Sequence, residues 1–369
     1  MRAVHTVSLR IPGATPTHAR RARGRMARVL RLMIVPALAA LEGCEPRAAG
    51  EAHPAETPPA ITSLQGWCAE VPRPANIALP RAPVSDRWYT IVEAAPGVYA
   101  FLEPQQFQEA VSYLIVGTQR ALLFDTGIGV VPLRPLVERL TRLPVTVLNS
   151  HTHYDHVGGN WEFDRILTID SPYTRANMAG FPHVQVATEV RPDAFCAGAP
   201  AGLDTARFHT RRWTATGTVR DGEVLDLGDR SVEVLHVPGH TPDAMALLDR
   251  ANGLLWTGDS YYDGALWLYV PETDLDAYER SMARLVALAP SLRQLLPAHN
   301  TAQADPARLA RVLGAVRTMR RGMVAPTGQE SGGRVLFTID SVRILTASAL
   351  LQGKVGSRDQ GGSGLTVWP

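Results

Sequence analysis

The segment His151-Thr152-His153-Tyr154-Asp155-His156 carries four side chains able to bind a metal within six residues. Imidazole and carboxylate are the ligands zinc takes in catalytic sites. The two-residue spacing of His151 and His153 lets both reach one ion from the same side of an extended chain. Asp155 and His156 follow at once and would face a neighbouring position, so the crowding points to two adjacent metals rather than one. A His-rich surface loop is the simpler alternative, and the rest of the chain argues against it.

Ligands need rigid supports, and an apolar run precedes each candidate. Val145-Thr146-Val147-Leu148 reads as a strand that stops just short of His151. Ser231 to Val237 alternates like a strand and passes through Pro238-Gly239 into His240. Gly253-Leu254-Leu255-Trp256-Thr257 ends in Gly258-Asp259, and Gln294-Leu295-Leu296-Pro297 ends in Ala298-His299. Each run finishes in a potential ligand at a strand exit, which is where layered α/β proteins build their sites.

Taken with Leu123-Phe124-Asp125-Thr126-Gly127, Gly158-Gly159-Asn160, Pro238-Gly239-His240-Thr241, Thr257-Gly258-Asp259 and Ala298-His299, the chain resembles the metallo-β-lactamase-fold superfamily over roughly residues 88–320. The resemblance implies an α/β fold, a four-layer αββα sandwich with a dinuclear site at one end of its two sheets. It implies that His151, His153 and His240 bind a first metal, that Asp155, His156 and His299 bind a second, and that Asp259 bridges both. Asp125 would brace the histidine loop, because ligand imidazoles need a fixed tautomer and ring orientation. Two zinc ions are the implied cofactor. Water between them would lose a proton near neutral pH to give a hydroxide nucleophile, and Asp155 would orient it or pass a proton to the leaving group. No Gly-x-Ser-x-Gly elbow and no glycine-rich phosphate loop competes with this reading.

The resemblance leaves the substrate open. An Asp at the bridging position resembles the glyoxalase II-like and lactonase-like branches, and implies a hydrolase of a lactone, ester or thioester. An exported β-lactamase is the alternative, although those branches carry Cys or Ser where this chain has Asp259. An iron-dependent redox enzyme of the same fold is a third reading. Asp243, after Thr241-Pro242, departs from the Gly common in relatives and predicts a local change beside the site. Residues 173–218, with Phe181, Phe195, Phe208, His209, Arg211, Arg212 and Trp213, form either a lid or a peripheral unit packing its own aromatics. Tyr261, Tyr262, Trp267 and Tyr269 follow Asp259 closely and are expected at the mouth. Tyr154 either packs or faces substrate.

Composition is that of an ordinary globular chain of 369 residues, 45% hydrophobic and 20% charged. A net charge of +2 gives no argument for nucleic acid, and the expected partner is a small-molecule substrate. Nearly every cation is arginine, with Lys354 the lone lysine. Residues 1–44 read as a basic leader and signal peptide: Met26 to Arg31 is basic, Leu32 to Leu41 is an apolar stretch too short to span a membrane, and Leu41-Glu42-Gly43-Cys44 resembles a lipoprotein cleavage box. Cys44 would then be lipidated, placing the protein in the periplasm or on a membrane. A cytoplasmic protein with a basic leader is the alternative. Cys68 and Cys196 either pair in an exported chain or stay as separate thiols.

The Pro, Ala and Glu of residues 45–85 predict a flexible tether, residues 86–350 the catalytic domain, and residues 351–369 a disordered tail. Within the domain, Leu133 to Leu140, Asp274 to Leu288 and Ala307 to Met319 read as helices. Arg334 to Ile339 and Val342 to Thr346 read as a closing hairpin.

Overall fold

A computed structural model describes residues 66–352. Seven strands form the first sheet in chain order: β1 (Thr90–Ala95), β2 (Val98–Leu102), β3 (Val111–Val116), β4 (Ala121–Phe124), β5 (Val145–Leu148), β6 (Ile166–Thr168) and β7 (Gly217–Thr218). The first four pair antiparallel, and β4 to β7 run parallel. The second sheet contains β8 (Val224–Asp226), β9 (Ser231–His236), β10 (Met245–Asp249) and β11 (Leu254–Gly258). The chain then leaves through β12 (Ala265–Leu268) and returns as β13 (Gln294–Pro297), which lies parallel to β11.

Period-two alternation explains why these runs are apolar almost throughout. Neighbours on one strand point to opposite faces, and both faces are covered. Leu122 and Phe124 join Val234, Leu247, Trp256 and Leu296 between the sheets. Leu123, from the same strand as Leu122, packs outward with Leu133, Leu136 and Val137 of the helix Arg134–Leu140. On the other side Leu235, Leu248, Leu255 and Leu295 meet the helices Leu275–Leu288 and Ala307–Arg320. Burying a side chain of this size is worth about 1.5–3 kcal/mol, so a strand covered on both faces is fixed in register. The result is the four-layer αββα sandwich of the metallo-β-lactamase fold.

The hairpin expected near the end is present as β15 (Arg334–Ile339) and β16 (Val342–Ala347). With β14 (Gly328–Glu330) and β12 it makes a third, four-stranded sheet. β12 lies parallel to β16, so the C-terminal hairpin completes the layer begun just after Asp259. The helix Leu275–Leu288 starts where Asp274 accepts from the Asp276 and Ala277 amides at 2.9 Å each. Its Leu275, Tyr278, Met282 and Leu285 are buried as their spacing predicts.

One difference concerns the tether. From Gly66 onward the segment lies against the domain as a strap, with Asn76 and Val84 buried and Cys68 bonded to Cys196. Composition marks such a stretch as flexible, but contacts made across 128 residues of sequence have no local signature. Leader, Cys44 and residues 45–65 lie outside the described residues, as do residues 353–369. A short helix Ser348–Leu351 carries the ordered chain past the expected limit at residue 350. No helix among the described residues is long and apolar enough to cross a membrane.

Candidate metal centre

Strand exits bring the site together. β4 and β5 run parallel and end side by side, delivering Asp125 and the histidine loop to one edge. Asp125 takes a left-handed φ of 66°. One carboxylate oxygen accepts from the Ser150 amide at 2.6 Å, and the other accepts from His156 Nδ1 at 2.9 Å. The second sheet docks on the same loop, where the Met245 amide donates to the Ser150 carbonyl at 2.7 Å. Gly258 has φ 51°, and a Cβ there would lie 2.6 Å from Ser150 Cβ, so a side chain would push Asp259 away from the histidines. Gly239, with φ 143°, would meet the Tyr278 backbone at 2.3 Å; only glycine lets His240 enter over that helix. β13 delivers His299, and the Val111 amide donates to the Ala298 carbonyl at 2.7 Å.

All seven sequence-predicted residues converge. His151, His153 and His240 have donor atoms within 4.8 Å of one another, and so do Asp155, His156 and His299; His151, His156 and Asp259 form a third such group. Asp259 faces both sides. Its Oδ1 lies 3.2 Å from His299 Nε2 and 3.4 Å from His156 Nε2, while its Oδ2 lies 3.5 Å from His240 Nε2.

The outer ring nitrogens fix the tautomers. His240 Nδ1 donates to the Trp267 carbonyl at 2.9 Å, and His299 Nδ1 donates to the Gln108 carbonyl at 2.7 Å. His156 Nδ1 donates to Asp125. In the neutral rings each Nε2 therefore carries a lone pair. Yet His299 Nε2 and His156 Nε2 stand 3.3 Å apart, and His240 Nε2 lies 3.2 Å from His153 Nδ1. His153 Nε2 and Asp259 Oδ1 are buried without a hydrogen-bond partner. Facing lone pairs and an orphaned buried carboxylate oxygen are costly unless a cation lies between them, and imidazole with carboxylate is the donor set of a catalytic transition-metal site. The residues fit a metal centre.

Electrostatics agree. Burial, reinforced by neighbouring imidazoles, holds His151 and His153 below the ordinary range, His153 at about 3. Burial also disfavours a proton on His156 and His299, but Asp155, Asp125 and Asp259 override it for His156 and Asp259 overrides it for His299, so both rise. Burial would lift the Asp155 carboxyl, yet His156 and His299 bring it down to about 2. Carboxylates here call for positive charge, which a metal supplies in place of protons.

Several other expectations are resolved. Phe181, Phe195, Phe208 and Trp213 are buried in the layer outside the first sheet, so the 173–218 insertion packs its own aromatics. Arg211 stacks 3.9 Å over the Trp161 ring, and His209 and Arg212 are exposed. Tyr154 packs: its hydroxyl donates to Glu189 at 3.0 Å. Tyr261 and Tyr262 are buried, with the Tyr262 ring 4.9 Å from His299, because the turn after Asp259 tucks them under the loop. Trp267 and Tyr269 stay half-buried, and Tyr173 sets its ring 6.3 Å from His153. Asp243 is buried and accepts from Thr152, Thr174 and Thr241 at 2.6, 3.0 and 2.7 Å, pinning the histidine loop to the insertion.

Sequence reasoning missed Glu103 and Glu189, which burial pushes up to about 7, and the Gln108 and Trp267 carbonyls. Backbone acceptors carry no side-chain signal, and the two glutamates lie in no motif.

Comparison with known proteins follows the same line. Residues 107–299 match the Metallo-beta-lactamase superfamily profile. The chain is 27% identical over 228 residues to the acyl-coenzyme A thioesterase MBLAC2 of Homo sapiens, covering 58% of this chain and 81% of that protein. It is 26% identical over 194 residues to the hydroxyacylglutathione hydrolase of Aeromonas hydrophila, covering 52% of this chain and 61% of that enzyme. Among solved structures, a metallo-beta-lactamase family protein of Thermus thermophilus aligns at 22% identity and TM-score 0.46, covering 63% of this chain and 82% of that one.

Asp125 is the contact most open to test. Asp125→Ala should weaken uptake of a divalent transition metal such as zinc by about 10–100-fold. The melting temperature of metal-free protein should rise less on zinc addition in the variant than in wild type; equal rises would contradict the bracing role.

Proposed function

We propose a zinc-dependent thioester hydrolase, and the premise is that this chain belongs to the metallo-beta-lactamase superfamily and is a hydrolase of that group. The reading is carried by Asp259, whose two oxygens face the two histidine clusters separately. His151, His153 and His240 would hold one zinc, Asp155, His156 and His299 the other, and Asp259 would bridge them. When bound, two zinc ions supply an acidified water and a Lewis acid for the substrate carbonyl.

The chain's own groups do the rest. Asp155 stays ionised and lies 3.4 Å from His156 Nε2, where its carboxylate can accept a hydrogen bond from the attacking water and pass the proton on. The water oxygen bonds to the carbonyl carbon, the C–S bond breaks, and the sulfur departs with the electron pair. A thiol has a pKa near 8.5, so its anion leaves with little protonation. The half-buried rings of Tyr173, Trp267 and Tyr269 offer an apolar wall for an acyl chain. Among the lactone, ester and thioester substrates the site allows, thioesters are favoured because one relative is named an acyl-coenzyme A thioesterase and another a hydroxyacylglutathione hydrolase.

The protein is further proposed to act outside the cytoplasm, held to a membrane through lipidated Cys44. Its support is the Cys68–Cys196 disulfide, a bond that persists in oxidising compartments.

Zinc-loaded protein should release free thiol from acyl-coenzyme A, and a chelator should abolish the release. His151→Ala and Asp259→Asn should each lower the rate by on the order of a hundredfold or more. Metal-loaded protein that hydrolyses a β-lactam or a lactone but no thioester would overturn the substrate assignment. Cys44→Ala should move the expressed protein from the membrane fraction to the soluble one; wild type already soluble and uncleaved would refute the anchor.

A further inference from the structure

Among the described residues the strap before β1 makes no hydrogen bond to the predicted ligands, yet it holds the backbone around one of them. Asn300, directly after His299, has φ 67°, and Glu109, directly after Gln108, has φ 44°. Left-handed backbone is unfavourable for a residue such as Glu and persists only where the surroundings over-determine it. The two residues are joined, the Asn300 amide donating to the Glu109 carbonyl at 3.0 Å.

The strap supplies the remaining restraint. Arg73 Nε and Nη2 donate to the two Glu109 carboxylate oxygens at 2.7 and 2.6 Å, and Nη2 also reaches Asn300 Oδ1 at 3.3 Å. The Glu109 side chain is 5% exposed, so this forked pair is shielded and geometrically specific. Asn76 donates from Nδ2 to the Asn300 carbonyl at 2.8 Å and accepts at Oδ1 from the Ala302 amide at 2.9 Å. Its start is fastened by the Cys68–Cys196 disulfide, and the Cys196 amide donates to the Gln105 carbonyl at 3.0 Å. One segment gripped in this way contains His299. The other contains Gln108, whose carbonyl accepts the hydrogen bond from His299 Nδ1.

We propose that Arg73 is a positioning residue for His299: the strap fixes both backbone segments that orient that ring, and so sets the affinity of the metal position formed by Asp155, His156 and His299. This rests on the dinuclear reading above. Arg73 lies before residues 107–299, the part of the chain that matches the family.

The test is a zinc titration of the metal-free full chain against a chromophoric chelator. Wild type should bind two zinc ions. Arg73→Met should weaken one of them about tenfold and leave the other unchanged, and Arg73→Lys, which keeps the charge but loses the fork, should restore part of the loss. In a His299→Ala background, which already lacks that position, Arg73→Met should have no further effect. If Arg73→Met fails to fold, Arg73→Lys carries the test, with a threefold or greater loss expected at the same position. Unchanged affinities, or equal weakening of both ions, would overturn the proposal. A wild type that binds no zinc would instead overturn the dinuclear reading.

Discussion

The arrangement turns on one electrostatic demand: five imidazoles and two carboxylates are packed so tightly that lone pairs face one another. Brought together in low dielectric, such groups repel and lose hydrogen bonds to water. They stay together because four of the five rings are held from behind. Asp125 holds His156, the Gln108 carbonyl holds His299, the Trp267 carbonyl holds His240, and Ser150 Oγ lies 3.1 Å from His151 Nδ1. The outward nitrogen of these rings is bonded, which leaves the inward nitrogen free for a cation.

The sandwich makes that anchoring possible. Strands covered on both faces cannot slip in register without turning every side chain over, so their ends are fixed points. β4 with β5 and β11 with β13 run parallel in pairs, and parallel neighbours place their exits at the same edge. Tyr113, from β3, ties the sheets directly, its hydroxyl donating to the Pro297 carbonyl at 2.7 Å just before His299. Packing between the sheets therefore passes into ligand position without a long flexible loop. The strap adds an outside restraint on the same edge.

Much of this was legible in the sequence, for a physical reason. Strand exits follow from apolar runs, and ligands are few in type, so His151, His153, Asp155, His156, His240, Asp259 and His299 stand out as a set. Asp125 was legible as a brace through the family resemblance, not from the apolar run that it ends. The 173–218 insertion was not, because its short helices give no sustained periodicity, and aromatic content alone does not separate a lid from a packed outer layer. Tyr261 and Tyr262 were misplaced because nearness in sequence to Asp259 does not say which way a turn folds. The strap was misjudged because Arg73 and Asn76 act on residues more than thirty and more than two hundred positions away, a relation that local composition cannot carry.

In the proposed centre, two metal ions would occupy two defined positions bridged by Asp259. A crystal of the zinc-loaded protein, measured at the zinc absorption edge, tests it most directly. Two anomalous peaks are expected, one among His151, His153 and His240, the other among Asp155, His156 and His299, with an Asp259 oxygen toward each. A single peak, or peaks away from these residues, would contradict it.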